Sequence, residues 1–303
     1  LQNINLHLDF IGDIHGYADE LEALLIKLGY FRLNNVYQHP TKKAFFVGDF
    51  IDRGPKIREV LEIVRPMISN GYAYTVIGNH EYNAICYFTE INGKPLRSHS
   101  QKNNAQIRLT KEAFANDIDL LLDYIAWFRS LPIYVETPLF RVVHAQWKDA
   151  HIETLRKFAI NNFQDHDFLA DSVYSFNSVH KLTICLLRGE EMKISGVHFS
   201  DSDGHKREAY RVKWWLPEGE ITAHDYLINF PDDSEFDLPV VYNRGYKLNQ
   251  PPIFFGHYCL KNNGPSLFQN NICCLDYCVA NSGKIVAYRW NGEQILQNEN
   301  FVF

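Results

Sequence analysis

Three short segments carry residue types that do chemistry together: Gly12-Asp13-Ile14-His15-Gly16, Gly48-Asp49-Phe50-Ile51-Asp52-Arg53-Gly54 and Gly78-Asn79-His80-Glu81. Asp13 and His15 are two residues apart, so on an extended strand end both side chains leave on the same face. A carboxylate beside an imidazole suits a borderline divalent ion such as Mn, Fe or Zn. Asp49 has two carboxylate oxygens and can be shared between two such ions, while Asn79 adds a neutral oxygen donor. The flanking glycines fit loops that turn tightly and let backbone approach a ligand. Any one fragment alone is most simply a strand-end turn. The three in order, each after an apolar run, describe a metal and phosphate site.

Such side chains must be delivered to one rim. The runs Leu6 to Ile11, Ala44 to Val47 and Tyr74 to Ile77 are short, apolar and rich in β-formers, as expected of parallel strands buried on both faces. Leu21, Leu24, Leu25 and Leu28 fall at i, i+3, i+4 and i+7, and so do Val60, Ile63, Val64 and Met67, which predicts helices after the first two strands. Strand, loop and helix in repetition read as an α/β fold built from βαβ units. Open sheets of that kind bind ligands outside the carboxyl ends of their strands, which is where the three motifs lie.

These segments resemble the signature of the calcineurin-like metallophosphoesterases, in particular the phosphoprotein-phosphatase branch that holds Ser/Thr protein phosphatases and bacterial symmetrical diadenosine tetraphosphatases. That signature ends in two further histidines, matched by His144 in Val142-Val143-His144-Ala145 and His257 in Phe254-Phe255-Gly256-His257. The resemblance covers roughly residues 5 to 147 and 252 to 290 and implies the metal ligands Asp13, His15, Asp49, Asn79, His144 and His257. Ala145-Gln146-Trp147 stand where protein phosphatases carry two glycines. With Gly256-His257-Tyr258, they look more like the tetraphosphatase side.

The implied fold is a four-layer sandwich of two mixed β-sheets flanked by helices. It would be a single domain over residues 1–303, with a core of 5–148 and 251–303 and a cap-like insertion at 149–250. The implied reaction uses two divalent ions, Mn, Fe, Zn, Co or Ni with Mn favoured. At ~3.5 to 4 Å apart they would lower the pKa of a shared water from ~15.7 towards ~7, giving hydroxide for in-line attack on phosphorus without a phosphoenzyme. His80, held by Asp52, would protonate the leaving oxygen. Arg53 offers a planar fork to the non-bridging phosphate oxygens. The expected function is a phosphate ester or anhydride hydrolase of diadenosine tetraphosphatase type, acting on a small phosphorylated substrate such as a dinucleoside polyphosphate. A Ser/Thr protein phosphatase or small-molecule phosphomonoesterase is the alternative. A non-catalytic binding module would lack ligands, and all six are present.

Composition sets bounds on the rest. The chain has 303 residues, 46% hydrophobic and 22% charged, ordinary globular values with ample material for a core. Thirty basic against 36 acidic residues give a net charge of -6, so general nucleic-acid or anionic-membrane binding, which needs basic patches, is not expected. The site differs locally: two divalent ions less the charges of Asp13 and Asp49 leave about +2 for phosphate. Leu1 to Phe10 lacks a basic region and a small-residue cleavage site, so no signal peptide is expected. No apolar run reaches the ~18 residues of a membrane span. Cys86, Cys185, Cys259, Cys273, Cys274 and Cys278 form no Cys-x-x-Cys pair and read as buried thiols of a reducing cytoplasm. No residue pattern specifies an oligomeric state.

Asn104 to Ser130 reads as a packing helix or helix pair that Pro132 stops. In the insertion, helix is expected around Asp167 to Leu187, then strands at Val197 to Phe199 and Ala209 to Trp215 about an Asp203-Gly204 turn. Asp201-Ser202-Asp203-Gly204 superficially resembles a calcium loop, but its sixth position is Lys206 rather than glycine. Asp225 to Asp237 reads as a solvated acidic loop. Arg188, Arg207, Arg211, Trp214 and Trp215 are candidates for a phosphate tail or a stacked base, against the simpler account of a packed hairpin. Two strands and a hairpin at Asn291-Gly292 are expected to close the chain.

Overall fold

The first strand is buried at all four positions and therefore needs cover on both faces. A computed structural model, which describes residues 7–174, 176–194, 199–200, 206–228, 230, 240–261 and 264–303, supplies it. The strands that matter are β1 (Leu8–Ile11), β2 (Lys43–Phe46), β3 (Ala73–Thr75), β4 (Tyr134–Glu136), β5 (Arg141–Val143), β6 (Ile253–Phe255), β7 (Ile272–Cys274), β8 (Ala287–Trp290) and β9 (Phe301–Val302). One sheet has the order β9-β8-β1-β2-β3, with β1, β2 and β3 parallel and β8 and β9 antiparallel. The other has the order β7-β6-β5-β4, parallel except for the β4 hairpin partner. Phe10 of β1, in register with Phe45 and Tyr288, enters the layer between the sheets and stacks on Phe254 of β6 with ring centroids 3.7 Å apart. The next residue, Ile11, points the other way into the layer under the helices. The two mixed sheets with helices outside are the expected sandwich.

Helices α1 (Ala18–Lys27) and α2 (Ile57–Ser69) follow β1 and β2 and bury Leu21, Leu24 and Leu25, and Val60, Ile63, Val64 and Met67, the stripe that the spacing predicts. Helix α3 (Asn79–Phe88) follows β3 and is buried at every position from Asn79 to Tyr87, unlike a surface helix. The predicted pair is α4 (Gln101–Ala113) and α5 (Ile118–Ser130). Asp117 starts the second by accepting from Leu120 N–H at 3.3 Å. Beyond them lie α6 (Asp149–Lys157), α7 (His166–Asp171) and α8 (Ser178–Arg188). The helix expected around 167–187 is present as these last two, the second capped by Asn177 through Val179 N–H at 2.9 Å.

Several other expectations need correction. Of Ala209 to Trp215 only Ala209–Arg211 is strand, and it pairs with Glu191–Lys193 rather than across the 203–204 turn. Phe199–Ser200 pairs with Lys206–Arg207, while 201–205, the Arg207 side chain and residues 231–239 of the acidic loop lie outside the described residues. Residues 291–300 separate β8 from β9, so Asn291-Gly292 is not a two-residue hairpin. Glu293 instead accepts from Asn291 N–H and from Trp290 Nε1–H, which bends the chain outward. Trp214 and Trp215 are buried, the latter stacked on Phe268 at 4.5 Å, and neither presents a free face for a base.

The cysteines also depart from expectation. Cys86, Cys185, Cys273 and Cys274 are buried thiols, but Cys259 and Cys278 form a disulfide. The Asp276 carboxylate brings them together by accepting from Cys259 N–H at 2.6 Å and Cys278 N–H at 3.0 Å. Among the described residues no helix is long and apolar enough to cross a membrane.

Candidate metal and phosphate site

The parallel strands end on one rim, and the loops after them are knitted to each other. Ile14 and His15 N–H donate to Asp49 carbonyl at 3.0 and 2.9 Å, Gly54 N–H to His15 carbonyl at 2.8 Å, and Gly256 N–H to His144 carbonyl at 2.9 Å. The same loops hold His15, Asp49, Asp52, Arg53 and His257 at positive φ, between 49° and 73°. Conformations of that kind cost of order 1–3 kcal/mol each for non-glycine residues and persist where the surroundings over-determine them. Two glycines are required by approach. A Cβ on Gly256 would sit 1.9 Å from Asp13 Oδ1, and one on Gly78 would sit 2.2 Å from Asp49 Oδ1.

All six expected ligands and His80 are buried, and their ligand atoms gather about Asp49. Its Oδ2 lies 3.3 Å from His144 Nε2, 3.6 Å from His15 Nε2 and 4.0 Å from His80 Nε2. Asp13 Oδ2 is 4.0 Å from His15 Nε2, and Asn79 Oδ1 is 3.2 Å from His144 Nε2. Two groups result that share Asp49: His15, Asp49 and His80, and Asp49, His144 and His257. Backbone carbonyls fix the ring orientations. His15 Nδ1 meets Ile51 carbonyl at 3.1 Å and His144 Nδ1 meets Val47 carbonyl at 2.7 Å, so each ring donates on that side and turns its Nε2 lone pair inward. His80 differs, because its Nδ1 lies 2.7 Å from a carboxylate, Asp52 Oδ2.

This donor set fits divalent cations. His257 Nε2 is buried with no hydrogen-bond partner, an orphan that a metal bond would satisfy. Burial, with Arg211 and His144 adding to it, holds His257 well below the usual imidazole range, and burial with His80 does the same to His15, so both rings are neutral donors. Burial, then the neighbouring carboxylates Asp276 and Asp49, push Asp13 well up. Such crowding of buried carboxylates is the condition that a cation relieves. Burial would raise Asp49 too, but His144 and His80 outweigh it and keep it an anion well below its usual range.

The calcineurin-like phosphoesterase family matches residues 6–259. A Buchnera aphidicola protein named a symmetrical bis(5'-nucleosyl)-tetraphosphatase is 36% identical over 286 residues, 88% of each chain. This chain belongs to the calcineurin-like phosphoesterase family. A protein of Oceanobacillus iheyensis named an asymmetrical bis(5'-nucleosyl)-tetraphosphatase is 34% identical over 142 residues, 46% of this chain and 55% of its own length. The chain spans about half or less of the length of the asymmetrical relatives it matches. In fold it is similar to a Ser/Thr protein phosphatase from Saccharomyces cerevisiae, with a TM-score of 0.53 at 15% identity over 99% of this chain and 79% of that one. Calcineurin-like phosphoesterases use a dinuclear divalent metal site.

Within this phosphoesterase the structure adds residues that the sequence reading passed over. Glu81 holds the loops: its Oε2 accepts from Asp49 and Gly78 N–H at 2.9 and 3.0 Å, and its Oε1 from Phe50 and Ile51 N–H at 2.8 and 3.3 Å. The signal was present, since Glu three residues after a helix N-cap at Gly78 is the capping-box position. Glu81→Gln would aim an amide donor at these N–H groups. It is expected to cost about 2–3 kcal/mol, read as a lower urea midpoint at an unchanged slope. Thr110 of α4 is the other, with Oγ1 accepting from Asp52 N–H at 3.2 Å and donating to Asp52 Oδ1 at 2.5 Å. Nothing near Thr110 in sequence advertises it.

Proposed function

We propose that this chain is a hydrolase of dinucleoside polyphosphates, of the symmetrical tetraphosphatase type. The observation that carries the chemistry is the pair of groups sharing Asp49, one of which includes His80, whose other ring nitrogen meets the Asp52 carboxylate. The likeness to the Buchnera tetraphosphatase over 88% of both chains supports the substrate class.

Asp13, His15, Asp49, Asn79, His144 and His257 would hold two divalent ions, Mn favoured. When bound, the ions supply Lewis acidity and lower the pKa of water towards neutrality. Arg53 stands exposed at the rim, close enough for its charge to lower His15, and its fork takes non-bridging phosphate oxygens. His80 directs Nε2 into the site and gives its proton to the leaving oxygen, with Asp52, fixed by Thr110, holding Nδ1–H. The family ligands His15 and His144 face carbonyls instead. His80 alone of these rings has a carboxylate partner, which fixes Nδ1 towards Asp52 and turns Nε2 into the site. The described residues of the 149–250 insertion, of which Arg188 and Arg211 act on His257, are proposed to choose the substrate. Four unbridged thiols support a cytoplasmic setting, against which the Cys259–Cys278 disulfide counts.

The test is to supply Mn, incubate the protein with diadenosine tetraphosphate and identify the nucleotides released. Two ADP are expected. ATP with AMP would make the cleavage asymmetrical, and no cleavage alongside release of phosphate from an aryl phosphate would replace the reading with a phosphomonoesterase.

A further inference from the structure

The Cys259–Cys278 crosslink lies directly behind two of the expected ligands. Cys259 follows His257 by two residues and Cys278 follows Asp276 by two, so the disulfide joins the loop after β6 to the chain after β7. Buried Asp276 serves both sides. Its carboxylate accepts from Cys259 and Cys278 N–H, and its side chain also meets that of Asp13. His257 N–H donates to Asp13 Oδ2 at 3.1 Å, and the Cβ that Gly256 lacks would strike the same carboxylate. The disulfide and the ligands Asp13 and His257 therefore belong to one packed unit.

In that unit His257, Cys259 and Cys278 hold positive φ of 73°, 49° and 59°. Residues with a Cβ keep such a conformation only where their surroundings over-determine it. At the two cysteines those surroundings are Asp276 and the S–S bond. Asp276 would hold the two backbone ends side by side after the bond opened, so the thiols stay within reach and the bond can form again. Two unbonded sulfurs cannot remain at bonding distance, however, and one loop has to give way. Cys278 is buried, whereas Cys259 is half-buried and has only the side chain of exposed Asn281 against its sulfur, at 3.8 Å. Cys259 is thus the side that yields and the sulfur that an outside reagent reaches first. His257 is two residues away.

We propose that Cys259 and Cys278 form a reversible redox pair: closed, it seats His257 against Asp13, and opened by a small cellular thiol, it loosens that seat and weakens retention of the ion that His257 would hold. A thiolate attacks Cys259 Sγ, and the S–S bond breaks with its electron pair on Cys278 Sγ, which takes up a proton. A second thiol displaces the first from Cys259, leaving two cysteine thiols and one external disulfide. The inference rests on Asp13 and His257 being metal ligands, as in the reading above, and not on the substrate.

The full chain, isolated without reductant and freed of metal, is compared before and after treatment with a small thiol that is then removed. Alkylation read by mass spectrometry is expected to find Cys259 and Cys278 blocked before and labelled after. Amide hydrogen exchange across residues 256–260 should then run at least tenfold faster. Mn titrated back should bind about tenfold more weakly, and re-oxidation should restore both values. Cys259→Ser should match the reduced protein under either condition. Two free thiols in the chain isolated without reductant would overturn the proposal, and so would equal exchange or equal Mn binding in the two states. No Mn bound in either state would overturn the ligand reading and the redox pair with it, whereas a failure to cleave diadenosine tetraphosphate sinks the substrate reading alone.

Discussion

Asp49→Ala is expected to abolish metal-dependent turnover, lowering kcat/KM by a factor of ~10³ or more, since the ions contribute several kcal/mol of transition-state stabilisation. Asp49 Oδ2 is the atom that the two ligand groups have in common, with three imidazole nitrogens between 3.3 and 4.0 Å from it. Its Oδ1 accepts from His80 N–H at 2.9 Å, so the same side chain also seats the start of α3. Removing it would take away the proposed bridge, and it leaves His144, which Asp49 holds above the usual imidazole range despite burial, without its counter-charge. Metal content per chain and turnover should therefore fall together. A variant that retained both ions and lost only rate would show that Asp49 is not the bridge.

The proposed ligand set could be read from sequence because each residue is attached to something the sequence displays: an apolar run, a glycine and a change of period. Phe46-Val47-Gly48-Asp49 announces a strand end by itself, and the burial of Leu21, Leu24 and Leu25 follows from spacing alone. Long-range pairings are a different matter. Nothing adjacent to Thr110 tells of Asp52, because helix α4 reaches the site from elsewhere in the chain and only packing brings it there. The disulfide was missed for a related reason. Cys259 and Cys278 lie 19 residues apart with no spacing motif, and the group that aligns them is Asp276, whose carboxylate accepts both backbone N–H groups. Trp214 and Trp215 show the converse error, in which side chains suited to stacking a base are used for the core.

His80→Asn is expected to keep the metals and lose the rate by ~10²–10⁴-fold, and to do so unequally between substrates. Both ring nitrogens bear on this. Nδ1 lies 2.7 Å from Asp52 Oδ2, and Nε2 is left facing Asp49 Oδ2 at 4.0 Å, inside the site but farther out than the nitrogens of His15 and His144. A ring so placed contributes least as a ligand and most as a proton donor. An alkoxide leaving group needs that proton and a nitrophenolate hardly does, so the loss should be large for the first and several-fold or less for the second. Metal content measured beside the rates separates the roles. Equal losses on both substrates with one ion missing would make His80 a ligand, and an intact rate with the poor leaving group would end its role as the acid. Asp52 enters the same argument, because its second oxygen is taken by Thr110 at 2.5 Å and the carboxylate cannot turn away from the ring. The proposed proton donor is thereby oriented through Asp52 and Thr110, neither of which is among the proposed metal ligands.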